Sequence, residues 1–173
     1  MKIRKGFIAT LVIGLICLCF VGAPVSAAKV ETLQVEATNY VVSSQWLPVG
    51  DEEGHVIGLQ QREGEAVLSS GETAKYTAVS NFDSRRGKGG TATGYTKFVF
   101  VDESMIVFSW TADFFRDKDG LTCSKGEGTI IMGAGRFAGI TGKSVFSGKQ
   151  LQPASLDPKL TSIANATITY TLP

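Results

Sequence analysis

The C-terminal run alternates with a period of two: Ala164, Ala166, Ile168, Tyr170 and Leu172 are interleaved with Asn165, Thr167, Thr169 and Thr171. Successive side chains of a β-strand point to opposite faces, so this segment is a strand with one apolar and one polar side. The run from Leu33 through Val35, Ala37, Asn39 and Val41 behaves in the same way against Gln34, Glu36, Thr38 and Tyr40, which puts Asn39 on the inner face. Beyond the first 27 residues, apolar side chains do not recur at helical spacing over any convincing length. The pattern therefore requires a sheet whose inner face is buried and whose outer face is wet.

Counting β-rich runs near 30–41, 55–61, 64–69, 73–80, 92–101, 104–114, 121–132, 136–150 and 163–172 predicts eight or nine strands. Asp102-Glu103 separates two of them and suits a tight antiparallel turn. Glycines at 126, 128, 133, 135, 139, 142 and 148 mark a zone of bends, because glycine in a strand signals a bulge or a sharp turn. Segments 81–90 and 152–162 read as long loops. About eight antiparallel strands suit either a closed barrel or a two-sheet sandwich. The many glycines, with the small inward alanines of the last run, favour an all-β, closed antiparallel barrel with a tapered interior.

The N-terminus is of a different kind. Lys2, Arg4 and Lys5 precede an uncharged apolar stretch from Gly6 to Val21, then Gly22-Ala23-Pro24 and the small residues Ser26, Ala27 and Ala28. This is the layout of a secretory signal peptide, expected to be helical and cleaved after Ala27. The alternative, a retained membrane anchor, is opposed by the Gly-Ala-Pro break. The expected organisation is a signal peptide over 1–27 and a single barrel domain over 28–173, secreted or periplasmic and with no stable membrane span after cleavage. Loss of three of the 17 basic side chains, against 16 acidic ones, leaves a net charge of −2. That balance argues against a nucleic-acid partner, which demands a concentrated basic excess. Cys17 and Cys19 leave with the signal, so Cys123 alone stays and no internal disulfide can form.

The stretch Gly126-Glu127-Gly128-Thr129-Ile130-Ile131-Met132-Gly133-Ala134-Gly135-Arg136-Phe137-Ala138-Gly139-Ile140-Thr141-Gly142 resembles the Gly-Thr-Gly-x-Phe-x-x-x-x-Gly turn of plant allene oxide cyclases and dirigent proteins. Ala134 stands where that turn usually has threonine. The resemblance covers about a third of the chain after the leader. It implies an eight-stranded barrel with an apolar lumen, in which Gly133, Gly135, Phe137, Gly139 and Gly142 form a structural turn between two strands. It also implies a tendency to form homo-oligomers. The active residues of those families lie outside this turn, so the resemblance carries over no catalytic residue.

Sharper chemical readings each meet a plainer rival. Gly133-Ala134-Gly135 with Gly139 echoes a dinucleotide fingerprint, but that motif needs a helix opening directly after the glycines, and Arg136 to Phe146 reads as strand. Arg85-Arg86-Gly87-Lys88-Gly89-Gly90 could cradle an anion, yet reads first as a solvated loop. His55 is the single histidine and has no nucleophile-elbow partner. Asp113, Asp117 and Asp119 before Gly120 echo part of a calcium loop but lack its terminal glutamate, so a charged hairpin turn explains them better. No metal, cofactor or catalytic residue is assigned.

The aromatic residues carry the more useful signal. Phe98 with Phe100, and Phe108 with Trp110, share strand faces, and Tyr170 lies on the inner face of the last strand. In a closed barrel they either pack a solid core or line a lumen, with Asn39 and Tyr170 as polar anchors for a small apolar ligand. Three function classes follow: a non-catalytic exported barrel that binds such a ligand, a cyclase or isomerase acting by confinement of its substrate, and an envelope protein-interaction module. An ionisable group inside a cavity would favour the enzyme. A filled core with an exposed apolar patch would favour interaction.

Overall fold

The computed structural model describes residues 29–173. Eight strands follow one another: β1 Val30–Pro48, β2 His55–Leu68, β3 Thr73–Arg85, β4 Gly89–Phe100, β5 Met105–Arg116, β6 Thr122–Ala134, β7 Thr141–Gln150 and β8 Ser162–Thr171. Each pairs antiparallel with the next, and β8 returns to β1 from Val30↔Thr171 to Asn39↔Ser162, closing an up-and-down barrel. Closure removes the unpaired edges that an open sheet leaves. The expected leader over 1–27 and its cleavage site after Ala27 lie outside the described residues. Among those residues no helix is long and apolar enough to cross a membrane.

The expected alternation is realised: Val35, Ala37 and Asn39 are buried while Gln34, Glu36 and Thr38 are exposed. Four expected boundaries differ. The first strand, expected over 30–41, runs on to Pro48 because residues 43–48 stay paired with β2. The runs 55–61 and 64–69 are one strand, because Gly64 continues the ladder opposite Asn39 and Tyr76. The expected loop 81–90 is mostly the paired ends of β3 and β4, from Asn81↔Thr93 to Arg85↔Gly89. Charge there lies on the outer face, and only the turn at Arg86 to Lys88 is unpaired. The expected strand from residue 136 starts at Thr141, because Gly135–Phe137 form a single 3₁₀ turn.

One end of the barrel is sealed. Val35, Leu68, Phe98, Phe100, Ile106, Phe108, Ile130 and Ile168 converge there, with Ile106 and Ile168 each 1% exposed. The turn between β6 and β7 caps this end. Gly135 at φ 65° and Gly139 at φ 78° adopt left-handed backbone that side chains disfavour, and the reversal drives Phe137 onto Phe100, ring centroids 5.0 Å apart. Arg136 lies over both rings and pairs with Glu72 and Asp102. A bulge between Val41 and Ser43 bends β1 where it parts from β8, so that beyond it β1 is held by β2 alone.

Candidate functional site: the barrel lumen

Away from the sealed end, inward positions follow a different rule. Gly58 faces Phe82 across β2/β3, Gly90 faces Phe114 and Gly94 faces Trp110 across β4/β5, and Gly126 faces Phe146 across β6/β7. Each ring lies over its glycine so closely that a Cβ there would meet it, at 2.6 Å from the Trp110 Cζ2 atom for Gly94 and 2.5 Å from the Phe146 Cζ atom for Gly126. Aromatic side chains seated on cross-strand glycines lie flat against the wall instead of projecting to the axis. The glycines expected to bend the sheet therefore also clear its interior.

The cleared space is a cavity of about 770 Å³, open at the end opposite the plug. Small-molecule sites typically enclose about 300–1,000 Å³. Its floor is Phe98 and Phe108, packed edge to face at 5.6 Å, and its walls include Trp110, Phe146, Phe82 and Phe114.

Just above the floor runs a polar belt. The Arg62 guanidinium enters from β2 and donates from Nε to Asn39 Oδ1 at 2.6 Å and from Nη1 to Gln60 Oε1 at 3.0 Å. Its Nη2 donates to the Leu160 carbonyl at 2.6 Å and to Ser162 Oγ at 3.1 Å. Asn39, 3% exposed, is oriented in turn by donating to the Ala37 carbonyl at 3.3 Å. Opposite, Trp110 Nε1 donates to Thr96 Oγ1 at 3.0 Å, and Tyr76 lines the cavity from the neighbouring strand. Burial raises the Tyr76 pKa above the ordinary tyrosine value, so the phenol keeps its proton. Burial also presses the Arg62 pKa down from its ordinary value, opposed by Tyr76 and by the distant charge of Asp157.

The structure brings Asn39, Phe98, Phe108 and Trp110 together around this cavity. Phe100 and Tyr170 lie elsewhere. Phe100 belongs to the plug, and Tyr170 packs against it while its hydroxyl donates to Glu31 Oε2 at 2.8 Å. Gly133, Gly135, Phe137, Gly139 and Gly142 sit in or beside the capping turn at the sealed end. His55 is buried outside the lumen, its Nδ1 2.5 Å from Asp51 Oδ1 and its Nε2 3.0 Å from Asp83 Oδ1. Asp117 stabilises the β5–β6 turn by accepting the backbone N–H groups of Asp119 and Leu121, and among the described residues no acidic or thiol cluster suits a metal. Cys123 is a free thiol at the cavity rim.

Sequence reasoning missed Arg62, Tyr76 and Phe146. Arg62 stands in Gln60-Gln61-Arg62-Glu63, which looks like a solvated surface run. The available signal was parity, since Arg62 shares its strand face with Gly64, Ala66 and Leu68, and the last two are buried. No protein-family model matches the chain, and no curated protein does so.

Proposed function

We propose that this chain is an exported, non-catalytic β-barrel protein that holds a small, largely apolar ligand in its lumen. The observation that supports this most is the cavity of about 770 Å³ walled by aromatic rings seated on glycines. A barrel of eight strands can be filled by its own side chains, so such clearance calls for an occupant. The basic, apolar and small-residue layout of residues 1–27 supports export. The turn over residues 126–142 supports kinship with the allene oxide cyclase and dirigent barrels.

Arg62 and Tyr76 are ionisable groups inside the cavity, which is the feature that favours an enzyme. Neither exchanges a proton readily near neutral pH: arginine stays protonated, and burial makes Tyr76 a weaker acid still. A cyclase or isomerase built here would work through confinement, with Arg62 polarising the substrate. The interaction reading draws support from the outer wall, where Val79 and Tyr95 are paired across β3/β4 and exposed beside Leu59. Self-association through that wall would give a dimer or trimer by light scattering, and a monomer at high concentration would remove it.

Native mass spectrometry of protein purified from its own host tests the ligand reading. A retained small molecule that is lost on organic extraction is the expected result. A clean apo mass, together with no uptake of an apolar dye, would overturn it.

A further inference from the structure

The lumen is chemically lopsided. Basic residues border it, Arg62 inside and Arg85, Arg86, Arg116 and Lys149 around its mouth, and among the described residues no carboxylate does. This runs against the whole chain, in which acidic and basic residues are nearly balanced. Four of these cations stand at the mouth, and three are neutralised from outside: Arg85 by Glu52 and Asp83, Arg86 by Glu53, and Lys149 by Asp117. Arg116 donates to the Gly120 carbonyl in its own turn.

Arg62 is different. It lies deep in the belt, and among the described residues no carboxylate forms an ion pair with it. All four of its acceptors are neutral, so they orient the guanidinium without cancelling its charge. A guanidinium has five N–H donors, so one on Nη1 is left for a further acceptor. Asp157, the carboxylate whose charge reaches it, is occupied by the backbone N–H groups of Lys159 and Thr161. A buried cation ordinarily sits with a counter-charge, because desolvation without one is costly. Here the neighbouring space is ligand space.

Building on the lumen reading above, we propose that the ligand is an amphipathic monoanion: an apolar body bearing one carboxylate, which docks head-first on Arg62. The free Nη1 N–H and the uncancelled charge receive the carboxylate, and the Tyr76 hydroxyl lies on the same belt. The apolar body extends towards the mouth between Trp110, Phe146, Phe82 and Phe114. The plug below, built of Phe98, Phe108 and Ile106, gives a tail no room beneath the belt. A head-out pose would leave Arg62 facing hydrocarbon, so electrostatics fixes the direction of entry.

The test uses cis-parinaric acid and its methyl ester as fluorescent probes, titrated at neutral pH into protein purified after expression of the full-length chain. The acid is expected to bind more tightly than the ester by about tenfold or more, the value of one charge-assisted hydrogen bond in a desolvated site. Arg62→Gln should abolish that preference while leaving ester binding in place, and Arg62→Lys should retain part of it. Equal binding of acid and ester by the unaltered protein would overturn the carboxylate proposal and leave the lumen reading standing, whether or not either variant folds. Binding of neither probe would overturn the lumen reading and this proposal together. An undiminished preference in folded Arg62→Gln would place the anion on the rim cations instead and equally end the proposal.

Discussion

The two halves of this barrel share the same eight strands and the same closed ladder, yet one is solid and the other hollow. At the sealed end the inward positions hold Leu68, Phe98, Phe100, Ile106, Ile130 and Ile168, and their volumes meet at the axis. In the open half the inward positions pair a glycine on one strand with an aromatic on the next, and polar groups sit where the two regimes meet. Strand number alone does not decide whether an eight-stranded barrel has a lumen. The decision lies in cross-strand pairs: two bulky residues facing one another fill the axis, whereas a ring folded onto a glycine vacates it.

That contrast predicts where truncation hurts. Ile106→Ala, in the plug, should cost about 2–5 kcal/mol, because the removed methyl groups leave a void that close-packed neighbours cannot fill. Phe146→Ala, in the hollow half, removes a larger side chain but only enlarges a space already reachable from the mouth. Its cost should be the smaller of the two in urea unfolding. Equal costs would mean that the open half is packed as tightly as the plug, and the comparison would fail.

The glycine seats predict a second effect of about 1–3 kcal/mol, the usual range for overpacking. Gly94→Ala places a methyl group 2.5 Å from the Val79 carbonyl oxygen and 2.6 Å from Trp110 Cζ2, and Gly126→Ala places one 2.3 Å from the Thr111 carbonyl oxygen and 2.5 Å from Phe146 Cζ. The neighbouring backbone must shift, and the ring must swing towards the axis. Each variant should therefore lose stability and, in the folded fraction, take up less apolar dye. Trp110 also gives a direct signal, since leaving its seat disturbs the 3.0 Å bond to Thr96 and should change its fluorescence. A variant that loses stability while dye uptake is unaltered would show that the seats serve packing alone.

The fold was largely legible because period-two alternation survives single-sequence reading: β4, β5 and β8 follow from it nearly residue for residue, and β1 follows as far as residue 41. The misplaced boundaries have local causes. Asn81 to Gly90 is rich in charge and glycine, as loops are, but Phe82 and Ser84 keep facing inward while Asp83 and Arg85 face out. The lumen was less legible, because a glycine's role depends on which residue lies across from it. Nothing within Gly126 itself names Phe146, twenty positions away in the chain, as its partner; that needs the register. Tyr170 has the parity of a lumen residue, but its position along the strand axis puts it at the sealed end, and alternation specifies facing without depth. Arg62 was hidden because its chain neighbours Gln60, Gln61 and Glu63 are polar, as on a solvated surface.

Acid should produce the smallest effect and separate the two ends once more. At the open rim Asp51, Glu52, Asp117 and Asp157 all titrate below their ordinary values: Asp51 through its bond to His55, Glu52 through Lys88, Asp117 through Lys149, and Asp157 through Thr161. At the sealed end only Glu31, through Tyr170, and Asp102, through Ser104, are held down among the described residues. A carboxylate whose pKa is lower folded than unfolded stabilises the fold fully above the unfolded value, about 3.9–4.3, and loses that contribution as pH falls through the lower folded value. Asp51, Glu52 and Asp102 are exposed and Glu31, Asp117 and Asp157 half-buried, so each contribution is small and salt-screened. The expected outcome, read by amide hydrogen exchange between pH 5 and 3 after correction for intrinsic rates, is loss of protection first in the 49–54, 117–121 and 151–161 segments. The 101–104 and 135–140 turns should follow later. Because Leu160 and Ser162 hold Arg62 from the 151–161 side, loosening there should weaken binding of a lumen probe before the barrel itself unfolds. Simultaneous loss at both ends would instead mean that the rim loops are as tightly coupled to the plug as the strands between them.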